Sequence, residues 1–173
     1  MKKRGWIIGL TMVVGTAGLW FLGKHDKPLD RSLTVDKIVV EKSKRRLSLY
    51  SGETLLKTYP ISLGQQPVGH KAFEGDKRTP EGQYIIHDKN PHSGYYKNLG
   101  ISYPNKHDIA HAKEIGKAPG GHIKIHGLKN GWGWIGKIHL LKDWTAGCIA
   151  LTNEEVEELY QTVPIGTPIE IKP

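Results

Sequence analysis

From residue 33 onward, apolar side chains return at every second position, in short runs separated by polar breaks. Period two places alternate residues on opposite faces of an extended chain, so such runs form half-buried strands. "VDKIVVEKS" puts Ile38 and Val40 on one face, "RRLSLYSG" does the same with Leu47 and Leu49, and "ETLLKTYPISLG" makes a third run. Ser43-Lys44 and Ser51-Gly52 are turn material between them, which predicts a β-meander. "EGQYIIHD", "GHIKIHG" and "GTPIEIKP" predict later strands. Residues 64–82 and 89–121 are rich in Gly, Pro, Asn, Lys and His and read as long loops on a small sheet. Loops of that length in a compact domain are usually functional or mobile. One helix is expected over "NEEVEELYQTV". There Thr152 and Glu155 form a capping box, Val156, Leu159 and Tyr160 share a face, and Pro164 ends the run.

The first thirty residues follow another pattern. Lys2, Lys3 and Arg4 precede an uncharged apolar run of 17 residues at 6–22. A basic segment followed by an apolar one is an export signal. The run is long for a cleavable signal and at the short end for a spanning helix, and no small-x-small cleavage site follows it. The expected organisation is a signal-anchor helix and linker at 1–30 and one domain at 31–173. Cleavage is the second reading and a buried core helix the third. Cations before the run hold the N-terminus in the cytoplasm. The domain is then expected at the periplasmic face of the cytoplasmic membrane, or free outside it if the signal is cleaved.

The net charge is +8, and residues 31–173 retain 20 basic against 15 acidic side chains. That balance suits an anionic cell-wall polymer or membrane surface, and equally plain solubility. No nucleic-acid motif is present, and nucleic acid is not a partner expected outside the cytoplasm.

The single cysteine lies in "DWTAGCIAL". Exported compartments favour paired cysteines, so a lone Cys148 either pairs between chains or is a reactive thiol. A nucleophile needs a base, a group that orients the base, and oxyanion donors. Of nine histidines, His25, His70, His87, His92 and His111 are expected to be solvated in basic, Gly-rich segments. His126 ends an alternating strand in which Ile123 and Ile125 take the opposite parity from His122, Lys124 and His126. Gly127 follows it, small enough for a carbonyl to approach the ring and hold its tautomer. His139 is the rival base, and spacing alone does not separate the two. Gly147 permits an open turn, with the amides of Gly147 and Cys148 available to an oxyanion. Thr145 either meets substrate or stabilises that turn, and Trp144 is expected to pack. "HKAFEGD" and "HDIAH" contain metal-ligand types, but no His-Glu-x-x-His is present and one Cys builds no thiolate site. No metal or cofactor is expected.

Taken in order, "YPISLG", "KRTPEGQY", "NPHSGYYKNLGISYPN", "PGGHIKIHG", "DWTAGCIALTN" and "PIGTPIEI" resemble the YkuD-type L,D-transpeptidase catalytic domain of bacterial cell-wall enzymes. The wording is closest to its YafK-like branch, whose members carry transpeptidase or amidase roles. The resemblance implies a mixed, mainly β, sandwich- or barrel-like domain with a few short helices. Its His-Gly and Ser/Thr-x-Gly-Cys motif falls on His126-Gly127 and Thr145-Ala146-Gly147-Cys148. It therefore implies His126 as base, the Gly127 carbonyl as its orienter and Cys148 as nucleophile. The implied reaction forms a thioester with a tetrapeptide stem of peptidoglycan, releases D-Ala, and passes the acyl group to an amine. The acceptor is a second stem or a lysine of an anchored lipoprotein. Hydrolysis by the same cysteine is the alternative, as carboxypeptidase or as an amidase releasing wall-attached lipoprotein, and an inactive wall-binding module the third. The chain departs from the family in a longer His126-to-Cys148 gap containing Trp132-Gly133-Trp134. It also has Ala146 where His or Lys is frequent, and Ala150 where Arg is frequent. Lys124, Arg78 and His139 are the candidates to hold a substrate carboxylate in place of that Arg.

Overall fold

The computed structural model of the protein describes residues 29–30 and 32–173. The expected signal-anchor, and His25 with it, lies outside the described residues. The three leading runs form β1 (Lys37–Glu41), β2 (Arg46–Ser51) and β3 (Thr54–Pro60). They pair antiparallel as a meander. Ile38, Val40, Leu47 and Leu49 are fully buried, as their alternation requires. The remaining elements are β4 (Gly82–Ser93), β5 (Tyr96–Ile101), α1 (Lys106–Glu114), β6 (Lys124–His126), a 3-10 helix (Gly133–Leu141), β7 (Ile149–Ala150), α2 (Asn153–Thr162) and β8 (Pro168–Lys172).

The strands form one eight-stranded sheet in the order β3-β2-β1-β8-β4-β5-β6-β7. Closing strand β8 inserts parallel to β1 and antiparallel to β4. The sheet curls until its two edges meet. Just past β3, Ser62 exchanges backbone hydrogen bonds of 3.0 and 2.8 Å with Ala150 of β7. The architecture is therefore one curled, mainly β sheet closed by a short bridge. Closure of this kind covers edge strands that would otherwise offer unpaired amides to other chains. Among the described residues the core forms one cluster that runs from Leu29 to Ile171.

Helix α2 forms as the sequence predicts. Thr152 accepts from the Glu155 amide, and the Glu155 carboxylate reaches back to the Thr152 amide at 3.0 Å. Val156 and Leu159 are fully buried where α2 crosses β5 and β6. The stretch at 89–121 is not all loop, however. It contains the end of β4, all of β5, and α1. Helix α1 opens on its own capping box, Asn105 with Asp108. That signal is legible in "NKHD" but is masked by the polar composition around it.

The loop at 64–82 is also less free than its composition suggests. Lys42, 2% exposed, donates to the carbonyls of Gly69 (2.6 Å) and Thr79 (2.9 Å) and to Glu81 (2.8 Å). Lys71 and Asp76 form a 2.8 Å ion pair with both side chains buried, and Asp76 also accepts from the amides of Ala72, Phe73 and Arg78. Buried charges survive only when paired and hydrogen-bonded, so these pairs fix the loop's path. His70, expected to be solvated, belongs to this bracing. Its Nδ1 accepts from the Glu81 amide at 3.0 Å and its Nε2 lies 3.1 Å from buried Asp108. The loop then returns against the cysteine turn.

Candidate active site

The parallel pair β6 and β7 positions the central residues. Ile125 lies beside Ile149 and His126 beside Ala150. One residue earlier, the same register sets Cys148 beside Lys124. Neighbours in a parallel ladder share a face, as do residues two apart on a strand. Lys124, His126 and Cys148 therefore share one face, while Ile125 and Ile149 point into the core at 0% exposure.

His126 is buried and its Nδ1 lies 2.7 Å from the Gly127 carbonyl. A carbonyl only accepts, so Nδ1 carries the proton and Nε2 is the basic nitrogen. Gly127 has no room for a side chain. A Cβ there would meet Asn153 Oδ1 at 2.7 Å and Val156 Cγ1 at 3.1 Å. Two aromatic rings enclose the imidazole: Tyr95 at 4.8 Å and Trp144 at 5.6 Å between centroids. Burial pulls its pKa below the ordinary 6.5, against the opposing pull of the Gly127 carbonyl, so the ring is neutral at pH 7.

Cys148 is half-buried and unpaired. Its thiol donates to the His122 carbonyl at 3.6 Å. His122 holds φ +57, a left-handed conformation that costs a non-glycine residue about 1–2 kcal/mol. Burial pushes the thiol pKa above its ordinary 9.0, and the Lys124 backbone amide, the Lys124 ammonium and Lys71 pull it back. Both directions favour the neutral forms at pH 7, a thiol and an imidazole.

The turn before the cysteine is built by Thr145. Its hydroxyl donates to the Cys148 carbonyl at 2.7 Å and accepts from the Gly147 amide at 3.0 Å. Thr145 is 4% exposed, and both of these bonds serve the turn. The second of them occupies the Gly147 amide offered above to an oxyanion, which leaves Gly147 the turn alone. Its φ is +136, and a Cβ would stand 2.6 Å from the Arg78 carbonyl oxygen.

The three candidate carboxylate holders separate. Lys124 stands on the thiol's face, 3.5 Å from Asp88. Arg78 abuts Gly147 with its backbone, while its guanidinium lies 3.5 Å from the His70 carbonyl. His139 is 6% exposed, with Nδ1 3.2 Å from Ser62 Oγ and 3.5 Å from Trp144 Nε1. Burial, with the nearby His126, pushes it down to about 4. Its ring meets Trp144 edge-on, with centroids 6.5 Å apart. Ala150 is fully buried in the closing bridge. Tyr95, Lys71 and the His122 carbonyl carried no sequence signal, because hairpin, loop and glycine turn bring them in from far along the chain.

A lone thiol beside a carbonyl-oriented imidazole, on the parallel ladder of a closed, mainly β domain, defines a candidate cysteine-nucleophile site. The chain belongs to the YkuD L,D-transpeptidase catalytic-domain family, whose model matches residues 36–171. That family is an acyltransferase enzyme family. YafK of Escherichia coli strain K12, which bears an L,D-transpeptidase name, is 33% identical over 94% of this chain and 64% of its own length. The chain thus spans somewhat less than two thirds of that relative. YkuD of Bacillus licheniformis is 28% identical over 79% of this chain and 66% of its own. Among solved structures, the helical cell shape determining protein Pgp2 of Campylobacter jejuni superposes with a TM-score of 0.61 at 28% identity. That superposition covers 79% of this chain and 47% of Pgp2.

Proposed function

We propose that the protein is an exported peptidoglycan L,D-transpeptidase working through a Cys148 thioester. The observation that carries this reading is the shared face of Cys148, His126 and Lys124 on the β6–β7 ladder. His126 Nε2 takes the thiol proton as Sγ attacks the amide carbon between the diamino acid and terminal D-Ala of a tetrapeptide stem. The Cys148 amide stabilises the oxyanion, since the Gly147 amide is engaged. His126 then passes the proton to the leaving nitrogen, D-Ala departs, and the thioester remains. An acceptor amine attacks the thioester carbon, its proton goes to His126, and the sulfur leaves and is reprotonated. Lys124 holds the stem's carboxylate, in the absence of an Arg at buried Ala150. The acceptor is the side-chain amine of a second stem or a lysine of an anchored lipoprotein. The domain works outside the cytoplasm, tethered by the segment at 1–30.

The test is the fate of disaccharide-tetrapeptide incubated with the enzyme and increasing acceptor amine. Crosslinked or amine-capped tripeptide that rises with acceptor, at the expense of free tripeptide, is expected. Free tripeptide alone at every acceptor concentration would make the protein a hydrolase. Unchanged tetrapeptide would remove the reading altogether.

A further inference from the structure

The 3-10 helix between the two site strands is inverted. His139 is its one buried residue. The helix kinks at Gly136 (φ +48), and three of its apolar residues face out while Ile135 and Leu140 are half-buried: Trp134 is 79% exposed, Ile138 54% and Leu141 86%. Trp132, just before it, is 54% exposed and stacks on Trp134 at 6.5 Å and 21°. Residues 128–142 contain no Asp or Glu and three lysines, Lys129, Lys137 and Lys142. Exposed indoles and aliphatics framed by cations are the composition of a surface that settles into the headgroup and acyl boundary of an anionic bilayer. A glycan strand is the poorer occupant. Sugars stack on indoles, but Ile138 and Leu141 offer them no hydrogen bond.

The chain's own geometry points the same way. Leu29 shares a groove with Asn153 of α2. Asn153 also abuts Gly133, where a Cβ would stand 2.5 Å from its Nδ2. That groove runs along α2 as far as Thr162 and carries Glu154, Glu157 and Glu158, so the described chain begins on the groove whose Asn153 end abuts this loop. The apolar run at 6–22 ends seven residues earlier, a span of at most about 25 Å. A run tethered in a membrane would hold Leu29, and with it this groove, within that distance of the bilayer.

We infer that residues 129–142 form a second membrane contact, in which Trp132, Trp134, Ile138 and Leu141 enter the interface and the exposed Lys129 and Lys142 meet anionic headgroups. This loop joins His126 to Cys148, so the contact sets the height of the site above the bilayer.

Residues 29–173, which hold the core cluster described above and omit the apolar run, are sedimented with phosphatidylcholine vesicles, with and without about 30% phosphatidylglycerol. Binding to the anionic vesicles, with a blue shift of Trp emission, is expected. Trp134→Ser/Leu141→Ser should weaken it about tenfold or more, as should Lys129→Glu/Lys142→Glu. All these side chains are exposed, so acylation of Cys148 by a carbapenem should persist and report an intact fold. Absence of vesicle binding would overturn the inference. So would binding unchanged in Trp134→Ser/Leu141→Ser, or binding only to lipid-free sacculi. Vesicle binding does not depend on the thioester, so the two proposals fail separately.

Discussion

His126→Gln is expected to slow acylation of Cys148 by about a thousandfold, the scale of a positioned general base, while the fold persists. The size of the loss follows from the resting charges. Burial holds the thiol above 9.0 and the imidazole below 6.5. Little thiolate therefore exists at neutral pH unless His126 takes the proton during attack. The base works only when deprotonated, and a lowered pKa keeps it so through the neutral range. The second-order rate with a carbapenem, read by intact mass, should be level from about pH 6.5 to 8 and fall only at lower pH. An acid limb at or above 6.5 would contradict the buried, carbonyl-oriented base. A large rate loss in His139→Gln, with none in His126→Gln, would move the role to His139.

Gly147→Ala should cost about 3–5 kcal/mol of folding stability, combining a φ that only glycine adopts readily with an overpacked contact. The φ of +136 lies where L side chains rarely sit, and the added methyl would meet the Arg78 carbonyl oxygen at 2.6 Å. That carbonyl cannot easily retreat. The adjacent Arg78 amide donates to Asp76, and Asp76 is tied to Lys71 in a buried pair. The strain therefore reaches the turn that carries Cys148. Urea unfolding measures the cost, and carbapenem acylation of the surviving fold should slow as well. Wild-type stability and rate in Gly147→Ala would mean that the turn has slack. Ala146, one position earlier, is exposed and should accept a larger side chain without such a cost.

Much of this was legible in the chain itself. The alternation at Ile38, Val40, Leu47 and Leu49, and the capping box at Thr152 and Glu155, are local signals with local outcomes. The His-Gly piece closes β6, and the Thr-x-Gly-Cys piece is the turn that leads into the adjoining β7. Three kinds of fact were hidden. Strand β5 and helix α1 lay inside polar composition, where pairing and capping outweigh hydropathy. The roles of Thr145 and Gly147 depend on which way one hydroxyl and one amide point, which spacing does not encode. Closure through Ser62 and Ala150, and the cage of Tyr95 and Trp144 around His126, are contacts between residues far apart in sequence.

The central claim is that Cys148 carries the acyl group, and trapping the intermediate tests it most directly. The enzyme is mixed with disaccharide-tetrapeptide without acceptor, quenched in acid and digested for peptide mass mapping. The predicted result is a hydroxylamine-labile disaccharide-tripeptide on the peptide containing Cys148, with release of D-Ala and no adduct in Cys148→Ala. An adduct on another residue, or D-Ala release that persists in Cys148→Ala, would contradict it.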